Sequence, residues 1–104
     1  MIVSTTNEVP GAEIGEVLGI ARGNTIRARH LGRDIMAGLK GVVGGEVESY
    51  TKLMAESREQ AIARMIELSE ALGADAIVGT RFITAGVAQG SAEILAYGTA
   101  VRTG

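Results

Sequence analysis

From Glu46 to Leu72 the apolar residues return at helical spacing, and no proline interrupts them. Tyr50, Met54, Ala61, Met65, Leu68 and Leu72 fall near one face, and Ile62 and Ile66 widen that stripe. Glu48, Lys52 and Glu56 stand four residues apart on the opposite side, as exposed helix pairs do. Glu46 and Glu48 place negative charge in the first turns, where the helix dipole favours it. Gly73 directly follows and predicts a left-handed cap. One long amphipathic helix is therefore expected, and its stripe must be covered by some other layer.

The rest of the chain supplies strands for that layer. Ile2-Val3-Ser4-Thr5 is β-prone, and Asn7 to Gly11 reads as a turn. Glu13 to Ile20 alternates, with Ile14, Glu16, Leu18 and Ile20 expected on one face. Gly23-Asn24 is read as an interruption, and Thr25 to Ala28 as a resumption. Leu31, Ile35 and Leu39 predict a short helix, which Gly41, Gly44 and Gly45 end. Beyond the long helix, Ala76 to Thr84 and Ser91 to Val101 alternate again, joined by a loop over 85–90. In the first of these strands Arg81 is expected to share a face with Ile77, Gly79 and Ile83.

No repeat and no linker divides the chain, so residues 1–104 read as a single α+β domain. Its expected form is an antiparallel sheet with one short and one long helix packed on one face. Both faces of the last two strands carry apolar or small residues. Helices cover only one of them, so another subunit is the expected cover for the other. Glycine, 15 of 104 residues, is spread through apolar segments rather than gathered in a tract. That placement predicts bulges, bends and close backbone contacts in a packed sheet.

Composition excludes several chemistries. There is no Cys, so no disulfide, thiolate nucleophile or Cys-ligated metal site can be built. A single His leaves no His-rich metal site within one subunit. Tyr50, Tyr97 and Phe82 are the only aromatics, which is poor equipment for stacking bases. A net charge of −2 argues against general nucleic-acid or membrane binding. No apolar run is long enough to span a bilayer, and Met1 to Pro10 does not read as a signal peptide. A cytoplasmic location is the expectation.

Few residues carry specific chemistry. His30 stands among Arg27, Arg29, Arg33 and Asp34, and reads first as a polar residue before the short helix. Residues 22–40 hold five basic side chains against one acidic, whereas 46–75 hold seven acidic against three basic. Complementary charge between segments or subunits is the simpler reading, and an anion site the sharper one. Gly44-Gly45 before the helix lacks the full spacing of a phosphate-binding loop. Arg81 inside a strand is expected to pair with Glu16 or Glu93 if buried. No nucleophile and base can be paired from local spacing, so no catalytic residue, metal ligand or cofactor is assigned.

Taken in order, Thr5-Thr6 with Pro10-Gly11, Gly44-Gly45-Glu46 with Tyr50, Ala71 to Ala76, and Ala96-Tyr97-Gly98-Thr99-Ala100-Val101 resemble the YbjQ-like family of small prokaryotic proteins, which carries a heavy-metal-binding label. The resemblance spans almost the whole chain. It implies a dodecin-like α+β subunit in a ring-shaped homo-oligomer, a pentamer, with sheets inside and helices outside. It implies no established activity. The expectation is therefore a non-enzymatic homo-oligomer that binds a small ligand or ion at subunit interfaces. The alternatives are a metal-binding protein or an enzyme whose site is shared between subunits. Glu46, Tyr50 and Arg81 are the candidate ligand-binding residues.

Overall fold

In a computed structural model, residues 1–27, 45–88 and 91–104 are described, with side chains at 1–26, 51–86 and 93–104. Strand β1 (Ile2–Val3) is followed by β2 (Ile14–Arg27), helix α1 (Gly45–Ala71), β3 (Ala76–Ala88) and β4 (Ser91–Thr103). The sheet order is β1-β3-β4-β2. β4 pairs antiparallel with both β2 and β3, whereas β1 lies parallel to β3. The sheet is thus mixed at one edge, a feature the alternation pattern of Ile2-Val3 did not show. The expected short helix over 31–39, and His30 before it, fall outside the described residues.

The long helix forms where its periodicity places it. Gly73, at φ +86°, ends it in a Schellman cap: its N–H donates to the Glu70 carbonyl at 3.0 Å, and Ala74 N–H donates to Ser69 O at 3.0 Å. Glycine occupies this backbone region without the clash a Cβ would bring. The buried stripe differs in part from the apolar one. Ala61 and Met65 are fully buried, as are Ser57 and Ser69, while Leu68 and Leu72 stay partly exposed. Each serine satisfies its hydroxyl within the helix: Ser57 Oγ donates to Leu53 O at 2.8 Å and Ser69 Oγ to Met65 O at 2.9 Å. Small side chains rather than large ones let the helix settle close to the sheet.

The helix rests on β2 and β4. Ala61 and Met65 pack against Ala21, Ile77, Ile94, Ala96 and Ala100, with Met54, Ile62 and Ile66 at the margins. β2 runs unbroken through Gly23-Asn24, against the expected interruption. A glycine was needed there for space: a Cβ on Gly23 would lie 2.3 Å from both the Ala61 carbonyl oxygen and the Met65 nitrogen. Thr25 Oγ1 donates to Ser57 O at 3.2 Å, and Arg64 Nη1 to Asn24 O at 2.6 Å, tying helix to strand on both sides of that contact.

Bulges change which residues face the helix. The β2–β4 register slips between Val17 and Gly19, and the β3–β4 register slips between Val78 and Arg81. Each inserts one extra residue and reverses the alternation beyond it. Ile20 therefore turns away from the helix while Leu18 packs toward it, splitting the face expected to hold both. Gly79, at φ +62°, accommodates the second bulge. Arg81 accordingly pairs with Tyr97 and lies on the face opposite Ile77, not beside it. The hairpin also corrects the expected loop. β3 continues to Ala88, with Ala85 opposite Glu93 and Gly86 opposite Ala92, because the ladder satisfies backbone groups that a loop over 85–90 would leave to solvent.

Candidate functional site

Among the described residues, the face of the sheet away from α1 is covered at one end. There Val9 packs with Ala76, Val78 and Val101 in a second small core. The segment that brings it is stitched to β3: Ser4 N–H donates to Ile77 O at 2.8 Å, Thr80 N–H to Ser4 O at 2.9 Å and Gly79 N–H to Thr6 O at 2.7 Å. Pro10-Gly11 then turns the chain, with Ala12 N–H donating to Val9 O at 3.1 Å. The turn expected at Asn7 to Gly11 thus acts as a lid on part of the second face.

Beyond that lid the face is open. Its apolar side chains include Val17 (65% exposed), Ile20 (69%), Ile26 (56%), Ile83 (52%) and Tyr97 (38%). They come from β2, β3 and β4 and align in cross-strand rows. Ile20 sits opposite Thr99, which pairs in turn with Val78. The next row is Arg22, Tyr97 and Arg81; the next is Asn24, Leu95 and Ile83; and then Ile26, Glu93 and Ala85. The face thus sets these apolar side chains among Arg22, Asn24, Arg81 and Glu93.

The polar groups around it are mostly engaged. Arg81 is exposed, and its Nη1 donates to Thr5 O at 2.9 Å and Thr80 O at 2.8 Å. The carboxylates expected for it have other partners. Glu16 Oε1 receives Arg102 Nη1 at 3.0 Å, and Glu93 Oε2 receives the Asn24 amide at 2.9 Å. Arg102 Nε also donates to Gly73 O at 3.2 Å, linking β4 to the helix cap. Asp75 closes the same end. Its carboxylate accepts from the Thr103 backbone N–H at 2.9 Å and from Thr103 Oγ1 at 2.9 Å. The backbone donor at Thr103 is the main reason that its pKa lies below the ordinary value of 3.8.

Of the three candidate residues, Glu46 and Tyr50 belong to the first turns of α1, and their side chains lie outside the described residues. Arg81 lies on the face of the sheet opposite that helix. The row it joins, with Tyr97 and Arg22, was not assembled from the sequence. Its only signal was a glycine inside a strand two positions before an arginine, where a bulge re-aims the side chain. Among the described residues, no three His, Asp or Glu side chains gather where they would hold a metal ion. Among them, too, no helix is long and apolar enough to cross a membrane.

Comparison with known proteins sets this subunit among relatives. A family model described as "Putative heavy-metal-binding", YbjQ-like, matches residues 1–104. A UPF0145 protein of Methanosarcina acetivorans is 58% identical over 102 residues, covering 98% of this chain and 96% of its own. UPF0145 proteins of Vibrio campbellii and Archaeoglobus fulgidus are 55% and 53% identical, each over 98% of this chain and over 98% and 94% of theirs. A crystal structure of a protein of unknown function from Pediococcus pentosaceus, of the DUF74 family, superposes with a TM-score of 0.67. It covers 100% of this chain and 98% of that one at 14% identity, which is a likeness of fold. A family model and close relatives that both match along the length of the chain lead to one assignment: the protein belongs to the YbjQ-like, UPF0145 family.

Proposed function

We propose that this chain is a non-enzymatic subunit of a homo-oligomer, a pentameric ring, that holds a small ligand or ion where subunits meet. The observation that carries this reading is the open face of the sheet. Val17, Ile20, Ile26, Ile83 and Tyr97 remain in water while the helix covers the other side. A small domain has limited stability of its own, and burial of this surface against a second copy adds to it. The cores under α1 and under Val9 are already filled, so the open face is the apolar surface that association would remove from solvent.

Native mass spectrometry on protein purified without a metal-affinity tag tests this reading, with and without added zinc, copper and calcium. A ring of about five subunits that keeps its mass under all three metals is the expected result. A monomer overturns it. A ring that gains stoichiometric zinc or copper replaces the small-ligand reading with the alternative, the metal binding named in the family description.

A further inference from the structure

Arg22 on β2 and Arg81 on β3 both stand opposite Tyr97 on β4. The three residues therefore form one line across three strands of the open face. Two strand spacings separate the arginine Cα atoms, roughly 10 Å. Tyr97 stands on the strand between them. The flanking rows are mostly apolar: Ile20, Thr99 and Val78 on one side, and Asn24, Leu95 and Ile83 on the other.

Among the described residues, no carboxylate compensates the charge of this row. Arg102 with Glu16 is the one ion pair among the described residues, and neither Arg22 nor Arg81 takes part in it. Glu93, on the same face two rows away, is engaged by Asn24. Arg81 is also held in place. Its Nη1 is committed to the Thr5 and Thr80 carbonyls, which leaves Nε and Nη2 for another acceptor. A guanidinium fixed in advance loses less freedom on binding. Arg81 leans toward Thr5, on the side of β3 away from β4, and so away from Arg22.

We infer that the Arg22–Tyr97–Arg81 row binds a small, flat, apolar dicarboxylate. Its body lies over Tyr97 between Ile20 and Ile83, and each carboxylate meets one guanidinium. The planar fork of arginine matches a carboxylate in two parallel hydrogen bonds. The inference rests on the proposed reading of this face as the place where subunits meet around a ligand, and it deepens that reading by naming the chemistry of the ligand held between them.

The test titrates naphthalene-2,6-dicarboxylate and 2-naphthoate by their fluorescence into the wild type, R22Q, R81Q and R58Q. Light scattering on each sample reports assembly. Arg22 donates no hydrogen bond among the described residues, so R22Q leaves the fold intact, whereas R81Q also removes two bonds to carbonyls. Arg58, exposed on the helix, is the control. The wild type is expected to bind the dicarboxylate about tenfold more tightly than the monocarboxylate, the ratio that one added charged hydrogen bond gives. R22Q is expected to abolish that ratio at unchanged mass, and R58Q to keep it. Equal affinity of both probes for the wild type overturns the inference, and so does a ratio that survives in R22Q. Loss of the oligomer in R22Q overturns it as well, since a second copy then occupies the row. A monomeric wild type that still prefers the dicarboxylate supports this inference while removing the ring.

Discussion

Gly23 lies so close beneath Ala61 that a Cβ on the glycine would stand 2.3 Å from the alanine carbonyl oxygen. The obstacle is helix backbone, which cannot rotate aside. Helix and strand meet here with nothing but hydrogen between them, and the contact sets the depth at which α1 rests on the sheet. Gly23→Ala is therefore expected to push the helix outward and destabilise the fold by about 3 kcal/mol, the upper part of the range for overpacking. Urea unfolding at fixed protein concentration measures it, and a loss below about 0.5 kcal/mol would show that the contact has slack.

Thr80 presents the opposite case. Its side chain is buried at 6% exposure, and Oγ1 finds no hydrogen-bond partner among the described residues. A buried hydroxyl left unpaired costs about 1–3 kcal/mol. Thr80→Val keeps the shape and removes the orphan oxygen. It is expected to raise the urea midpoint, by about 1 kcal/mol of stability, at unchanged slope. A fall in the midpoint would show that the hydroxyl has a partner in solution.

Asp75 links stability to pH. Its carboxyl titrates below the ordinary aspartate value because Thr103 donates to the ionised form. A lowered folded-state pKa means that the unfolded chain binds the proton more readily. The contribution is thus present above the unfolded value of about 3.9 and disappears as pH falls through the folded one. Thermal unfolding between pH 5 and pH 2 should show a steeper loss in the wild type than in Asp75→Asn. Identical slopes would remove Asp75 from the acid response.

Ile20 is 69% exposed on the open face and touches neither core cluster. In an isolated subunit Ile20→Glu would change stability little. In a ring closed through this face it replaces buried apolar surface with a carboxylate that must be desolvated even beside Arg22. Sedimentation is expected to show smaller species for Ile20→Glu, with far-UV circular dichroism unchanged. Wild-type mass in the variant would place the contact elsewhere.

Much of the fold was legible because its signals are local. The long helix declares itself in the spacing of Met54, Ala61 and Met65 and in Gly73 behind them. The hairpin shows in the alternation of residues 76–84 and 91–101, although its strands run further than that pattern. Face assignment was legible only between bulges. Extra residues at Gly15 and Leu18 and one beside Gly79 each reverse the faces up to the next slip, and nothing in a period-two pattern records an insertion. Arg81 went to the wrong face for that reason, and its expected carboxylates went to Arg102 and Asn24. Gly23 was read as a break because a glycine needed for space and a glycine needed for turning look alike in sequence. The Arg22–Tyr97–Arg81 row needed register between β2, β3 and β4, a long-range property that no single segment carries. The parallel β1 edge is long-range in the same sense.

The strand order also dictates a timetable. Among the described strands, β2 ladders with β4 and β1 with β3, with the whole of α1 synthesised in between. While the chain emerges from the ribosome, β2 waits for β4, its ladder partner. The sheet can close only after Ser91 to Thr103 are free, and closure then joins residues far apart in the chain, a slow kind of folding step. During that interval Val17, Ile20 and Ile26 are displayed on an unpaired strand, so the nascent chain meets its greatest hazard of wrong association before its own last strand arrives.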